Sequence, residues 1–89
     1  DERIAIVSEY RMPKILVIDN DEDLLKAIRS RLVKEEFEVV TTENGVLGIE
    51  LAEEAAPQLI VLDLLMPGID GLEIVEELRM LLERELVLH

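Results

Sequence analysis

The sequence predicts an α/β domain built on a parallel sheet, and three observations carry that prediction. Short, largely β-branched runs alternate three times with longer stretches whose apolar residues recur at helical spacing. The runs ahead of the first and third of these stretches are continuously apolar, as strands covered on both faces should be. Eighty-nine residues allow one domain at most, and a hydrophobic fraction of 49% is enough to give it a core.

The first strand is Lys14-Ile15-Leu16-Val17-Ile18. Asp19-Asn20-Asp21-Glu22-Asp23 then opens a helix, because side-chain oxygens can cap its free N–H groups and negative charge suits the positive end of its dipole. Leu25, Ile28 and Leu32 fall on one face of that helix, with Leu24 and Val33 at the margins. The second strand, Phe37-Glu38-Val39-Val40-Thr41, alternates enough to be less buried. Glu43-Asn44-Gly45 leads into a helix from about Val46 to Ala56, which Pro57 closes. Leu59-Ile60-Val61-Leu62 is the third strand and ends at Asp63. The turn-rich run Met66-Pro67-Gly68-Ile69-Asp70-Gly71 precedes a third helix from about Leu72 to Glu83. Outside these units, Arg3-Ile4-Ala5-Ile6-Val7 reads as a short strand, and Met12-Pro13-Lys14 looks like the natural start of a domain. Residues 1–12 are therefore expected to be an N-terminal extension or appended strand, and residues 13–89 the domain. Leu86-Val87-Leu88 either begins a further strand or extends the last helix.

Charge narrows the partners. Nine Lys and Arg against 21 Asp and Glu give a formal charge of -12, which repels nucleic acid and anionic lipid and favours cations and basic partners. No Cys is present and His89 is the only histidine, so there is neither a disulfide framework nor a zinc site of the usual composition. No apolar run approaches the roughly 20 residues of a transmembrane helix, and a cytoplasmic location is the expectation.

The acids at the strand ends are the candidate chemistry. Ligands of open parallel sheets sit outside the carboxyl ends of the strands. Asp19, Asn20 and Asp21 follow the first strand and Asp63 ends the third, so neighbouring strands would bring them to one rim. Crowded carboxylates repel unless one protonates or the group holds a cation. Mg²⁺ suits such hard oxygen donors, and beside it Asp63 could attack a phosphoryl group. Helix capping alone would also account for Asp19, Asn20 and Asp21. Asn44-Gly45 with Gly48 is an incomplete phosphate-loop pattern that a turn into a helix explains equally well.

Lys14-Ile15-Leu16-Val17-Ile18-Asp19-Asn20-Asp21, followed some forty residues later by Leu59-Ile60-Val61-Leu62-Asp63-Leu64-Leu65-Met66-Pro67-Gly68-Ile69-Asp70-Gly71, resembles the receiver domain of two-component response regulators. The likeness covers about residues 13–80. It implies a flavodoxin-like fold, of which these residues supply the first three of five βα units. It also implies that Asp63 is the phospho-acceptor, that Asp19, Asn20 and Asp63 with the backbone carbonyl of Leu65 hold Mg²⁺, and that a histidine kinase is a partner. Pro67 and Gly68 would shape the loop behind the site, and Gly71 the start of the next helix. Position 20 is Asn where the family usually has a second acid, which lowers the expected metal affinity and leaves Asp21 to compensate in part. The family's switch hydroxyl and its lysine, which follow the fourth and fifth strands, have no counterpart here.

A receiver-like sheet truncated after its third βα unit would have the order 2-1-3, with an apolar third strand at an edge. The third helix, with Leu72, Ile74, Val75, Leu78, Met80, Leu81, Leu82 and Leu86, is apolar around most of its circumference and predicts burial on more than one side. Completion by a second copy, through oligomerisation or strand exchange, follows as the expectation, with a homodimer as its simplest form. Two functional readings result, neither of them an enzyme. The first is a module that acts mainly by self-association and carries a degenerate Mg²⁺ site. The second is a phospho-accepting receiver that takes its missing site parts from a partner chain. A fragment of a phosphotransferase or nucleotide-binding enzyme is a third, weaker reading, since no phosphate loop or general base stands out.

Overall fold

The computed structural model describes residues 2–4, 12–68 and 70–82. Its elements run β1 (Lys14–Ile18), α1 (Glu22–Lys34), β2 (Glu38–Thr42), α2 (Gly45–Ala55), β3 (Leu59–Leu62) and α3 (Gly71–Leu82). The strands form one parallel sheet in the order β2-β1-β3. Ile15 is opposite Val39 on one side and Leu59 on the other, and Ile18 is opposite Thr42 and Leu62.

Alternation along β1 divides the core into two layers. Ile15 and Val17 join Leu25 of α1 and Val39 on one face, while Leu16 and Ile18 join Ala52 of α2 and Ile74 and Leu78 of α3 on the other. Both faces of β1 are thus covered, which is why its sequence is apolar without a break. Gly48 permits the second layer to close: a Cβ there would lie 2.5 Å from Cδ1 of Ile18.

The helix boundaries differ from the sequence expectations by a residue or two, each for a local reason. Asp21 is the N-cap of α1, its carboxylate accepting from the Leu24 N–H at 3.1 Å. At the other end of α1, Phe37 donates its N–H to the Leu32 carbonyl at 3.0 Å, and Glu36 takes a positive φ of 66°. Phe37 is thereby committed to closing the helix, and β2 starts one residue later. Asn44 caps α2, accepting from Val46 and Leu47 at 2.9 and 3.0 Å, so the helix begins at Gly45. Ala56 at φ 47° ends it ahead of the buried Pro57. Asp70 caps α3 in the same way, accepting from Leu72 and Glu73 at 3.1 and 3.3 Å.

One burial expectation, that of β3, is corrected. On β3, Ile60 and Leu62 are half-buried but Leu59 and Val61 are exposed. The physical reason is the sheet order: among the described residues β3 pairs only with β1, and α1 packs on the β1 and β2 side of its face. On α3 only the stripe containing Ile74 and Leu78 is buried, with Val75 at its margin, whereas Leu72 and Met80 are 68% and 76% exposed. Among the described residues one face of α3 meets α2 and the sheet while Leu72 and Met80 lie open, as expected of a single copy. Leu24 and Val33 of α1 are exposed as well. Arg3 and Ile4 lie in no regular element, and the rest of the strand expected over residues 3–7 falls outside the described residues. So do Glu83 and the Leu86-Val87-Leu88 run.

Candidate functional site

The carboxyl ends of β1 and β3 carry the candidate site. Ile18 and Leu62 are the last paired residues of these neighbouring strands, so Asp19 and Asp63 follow them side by side at the sheet rim. Two backbone hydrogen bonds fix their positions. Asp63 donates its N–H to the Ile18 carbonyl at 2.9 Å, and Asp19 donates its own to the Thr42 carbonyl at 3.1 Å. Each acid is therefore held by the strand beside it, and both are half-buried.

Local turns orient the two carboxylates. Oδ1 of Asp19 accepts from the Asp21 N–H at 2.9 Å, and Oδ1 of Asp63 accepts from the Leu65 N–H at 2.9 Å. One oxygen of each carboxylate is engaged in this way, and among the described residues no hydrogen bond holds the other. The second turn tightens the loop so that Leu65 follows Asp63 closely. Met66 is buried among Leu16, Ile18, Ile74 and Leu78, which anchors that loop to the core. Pro67 and Gly68 then turn the chain, with Gly68 at φ 73°, a conformation that suits a residue without Cβ.

Asn20 and Asp21 are exposed beside Asp19. Asp21 spends its Oδ1 on the α1 cap, so the compensation expected from it meets a competing role. Among the described residues no group of three acidic or histidine side chains is arranged to hold a metal ion. Two carboxylates, an amide oxygen and a carbonyl remain, and that donor set fits Mg²⁺, which commonly takes one or two carboxylates and completes its octahedron with water.

Thr42 was not singled out by its sequence position. It is buried, and besides supporting Asp19 through its carbonyl it accepts the Asn44 N–H on Oγ1 at 3.1 Å. A hydroxyl residue two positions before a helix-capping Asn is a recognisable turn signal, but its pairing with Asp19 depends on strand order. A cleft of mixed polar and apolar lining lies alongside, between Glu22, Leu25, Lys26 and Arg29 of α1 and residues 41–44.

Such a rim on such a sheet defines a class, and the sequence agrees with it: residues 15–86 match the response regulator receiver domain, and the chain belongs to that family. The virulence-factor transcription regulator BvgA of Bordetella pertussis is 44% identical over 69 residues, which are 76% of this chain and 33% of BvgA. The alkaline phosphatase synthesis transcriptional regulatory protein PhoP of Bacillus subtilis is 36% identical over 66 residues, 74% of this chain and 28% of PhoP. Among solved structures, the chemotaxis protein CheY4 of Vibrio cholerae has a TM-score of 0.77 at 27% identity, covering 82% of this chain and 62% of CheY4. The crystal structure of histidine kinase ThkA in complex with response regulator TrrA contains a chain with a TM-score of 0.71 at 35% identity, covering 78% of this chain and 60% of that one. The chain spans about a third of the length of these curated relatives.

The fold is thus the flavodoxin-like receiver fold that the motifs implied. Family membership favours the signalling reading over self-association as the main role. No helix among the described residues is long and apolar enough to cross a membrane.

Proposed function

We propose that this chain is a phospho-accepting receiver of two-component signalling, with Asp63 as the acceptor. The observation that carries the reading is the pairing of Asp63 with the end of β1, which sets it beside Asp19 at the sheet rim. An oxygen of the Asp63 carboxylate attacks phosphorus, an O–P bond forms, and the bond from phosphorus to the donor's nitrogen or oxygen breaks. The departing group keeps that electron pair and takes up a proton. The Leu65 N–H holds Oδ1 of Asp63, which orients the carboxylate and leaves Oδ2 for the attack. Asp19, Asn20, Asp63 and the Leu65 carbonyl would hold Mg²⁺, whose charge counters that of the transferring phosphoryl oxygens.

A histidine kinase is the proposed donor, in keeping with the ThkA–TrrA complex among the similar structures. Transcription is the proposed output, since BvgA and PhoP are transcription regulators. The test is intact mass after incubation with acetyl phosphate and Mg²⁺. Gain of one phosphoryl group that an Asp63→Asn variant fails to acquire supports the reading; no gain, or gain by the variant, ends it.

One observation favours a second reading, homodimerisation. Among the described residues β3 has an unpaired edge, and its Leu59 and Val61 are exposed. A further strand from another copy would satisfy the backbone groups of that edge, and the apolar surface of the copy would pack against Leu59 and Val61.

A further inference from the structure

Resting on the roles just given to Asp63 and Leu65, we propose that Gly71 is a positioning residue that holds the Asp63-Leu64-Leu65 turn in register from behind. A Cβ at Gly71 would lie 2.5 Å from the carbonyl oxygen of Leu64, 2.6 Å from its Cα and 2.9 Å from its carbonyl carbon. These are backbone atoms, which cannot rotate aside as a side-chain tip can. Leu64 is the single residue between the acceptor and the carbonyl donor, so displacing its peptide displaces both.

Gly71 is required for space and not for an unusual conformation, because Gly68 is the glycine with positive φ among the described residues. The loop also has nowhere to retreat. Its first residue is tied to β1 through the Asp63 N–H, Met66 is sunk in the core, and Asp70 is engaged as the α3 cap. Added volume at position 71 must therefore act on the turn itself. Gly48 is the internal contrast: a Cβ there comes equally close, but to Cδ1 of Ile18, on the core side of α2. Substitution at Gly48 strains the core. Substitution at Gly71 strains the site.

The experiment uses the 89-residue chain and follows the amide of Leu65, whose N–H is held by Asp63, by NMR chemical shift and hydrogen exchange. Mg²⁺ titration and thermal unfolding are recorded alongside. Gly71→Ala is expected to shift the Leu65 amide, speed its exchange and weaken Mg²⁺ binding by about tenfold or more, as loss of outer-shell support does. Gly48→Ala is expected to lower the melting temperature while leaving Mg²⁺ affinity within about twofold of the parent, because it presses on the side-chain tip of Ile18, which can turn aside and leave the backbone carbonyl that holds Asp63 in place. Asp70→Ala loosens the start of α3 without a clash, so it serves if Gly71→Ala does not fold; it too should speed Leu65 exchange while Leu16 stays protected. Leu65 shifts and exchange unchanged in the variants that fold would overturn the proposal, as would equal loss of Mg²⁺ affinity in Gly48→Ala. Absence of Mg²⁺ binding by the parent chain would count against the functional reading alone, since the Leu65 amide still reports whether Gly71 sets the turn.

Discussion

Asp63 donates its backbone N–H to the carbonyl oxygen of Ile18, the residue immediately before Asp19. The bond joins the ends of two neighbouring parallel strands, so two acids 44 positions apart in the chain share one rim. Because it is a main-chain bond, replacing the Asp63 side chain leaves it intact. Asp63→Asn is therefore expected to lose phosphoryl gain from acetyl phosphate while keeping the parent's far-UV circular dichroism and melting temperature; a collapsed spectrum would mean that the carboxylate is structural.

Position 20 tests the metal site by adding charge. Asn20 is exposed beside Asp19, so a carboxylate can replace its amide without disturbing the core. Asn20→Asp should tighten Mg²⁺ binding severalfold, and Asp19→Asn should weaken it, both measured by isothermal titration at fixed ionic strength. Equal affinities in all three proteins would show that the ion binds elsewhere.

Packing predicts a sharp contrast between two leucines. Leu16 is fully buried between the helical layer of α2 and α3 and the sheet, whereas Leu72 is 68% exposed on α3. Leu16→Ala should cost about 2–5 kcal/mol in urea unfolding, enough to unfold a marginal small domain outright. Leu72→Ala should stay within about 0.5 kcal/mol, provided the protein is measured at a concentration where it is monomeric.

The α2 cap is a smaller, separable contribution. Asn44 accepts from two N–H groups through one side-chain oxygen, so Asn44→Ala should lower stability by about 1 kcal/mol. Asn44→Asp, which keeps the acceptor, should restore most of it, and failure to do so would shift the explanation from capping to the Thr42 turn.

The edge of β3 bears on assembly. If copies meet there, the mass from light scattering should rise with concentration, and Val61→Lys should hold the chain monomeric by placing charge on an exposed edge position. A parent that is monodisperse and monomeric at high concentration would remove the homodimer reading.

Much of this was legible in the residues themselves. Strand and helix identities follow from short-range periodicity, and a cap for α1 follows from the acids that precede it, whereas the structure assigned that cap to Asp21 and added those at Asn44 and Asp70. The motif around Asp63 pointed to the family before any pairing was known, and the order β2-β1-β3 followed from it. What sequence could not weigh was function: an apolar third helix suggested self-association, while the relatives and the rim favour signalling.

By itself, then, the sequence determined the class of fold, the elements and the identity of the rim acids, because each is written in spacing and side-chain type over a few residues. Only the tertiary structure decided that Thr42 supports Asp19, that Met66 is sunk in the core, that Gly71 abuts Leu64 and that Leu59 and Val61 lie open. Those relations depend on register and on which layer meets which face. Both are set by hydrogen bonds and close packing between segments far apart in the chain, and local patterning carries no record of those distances.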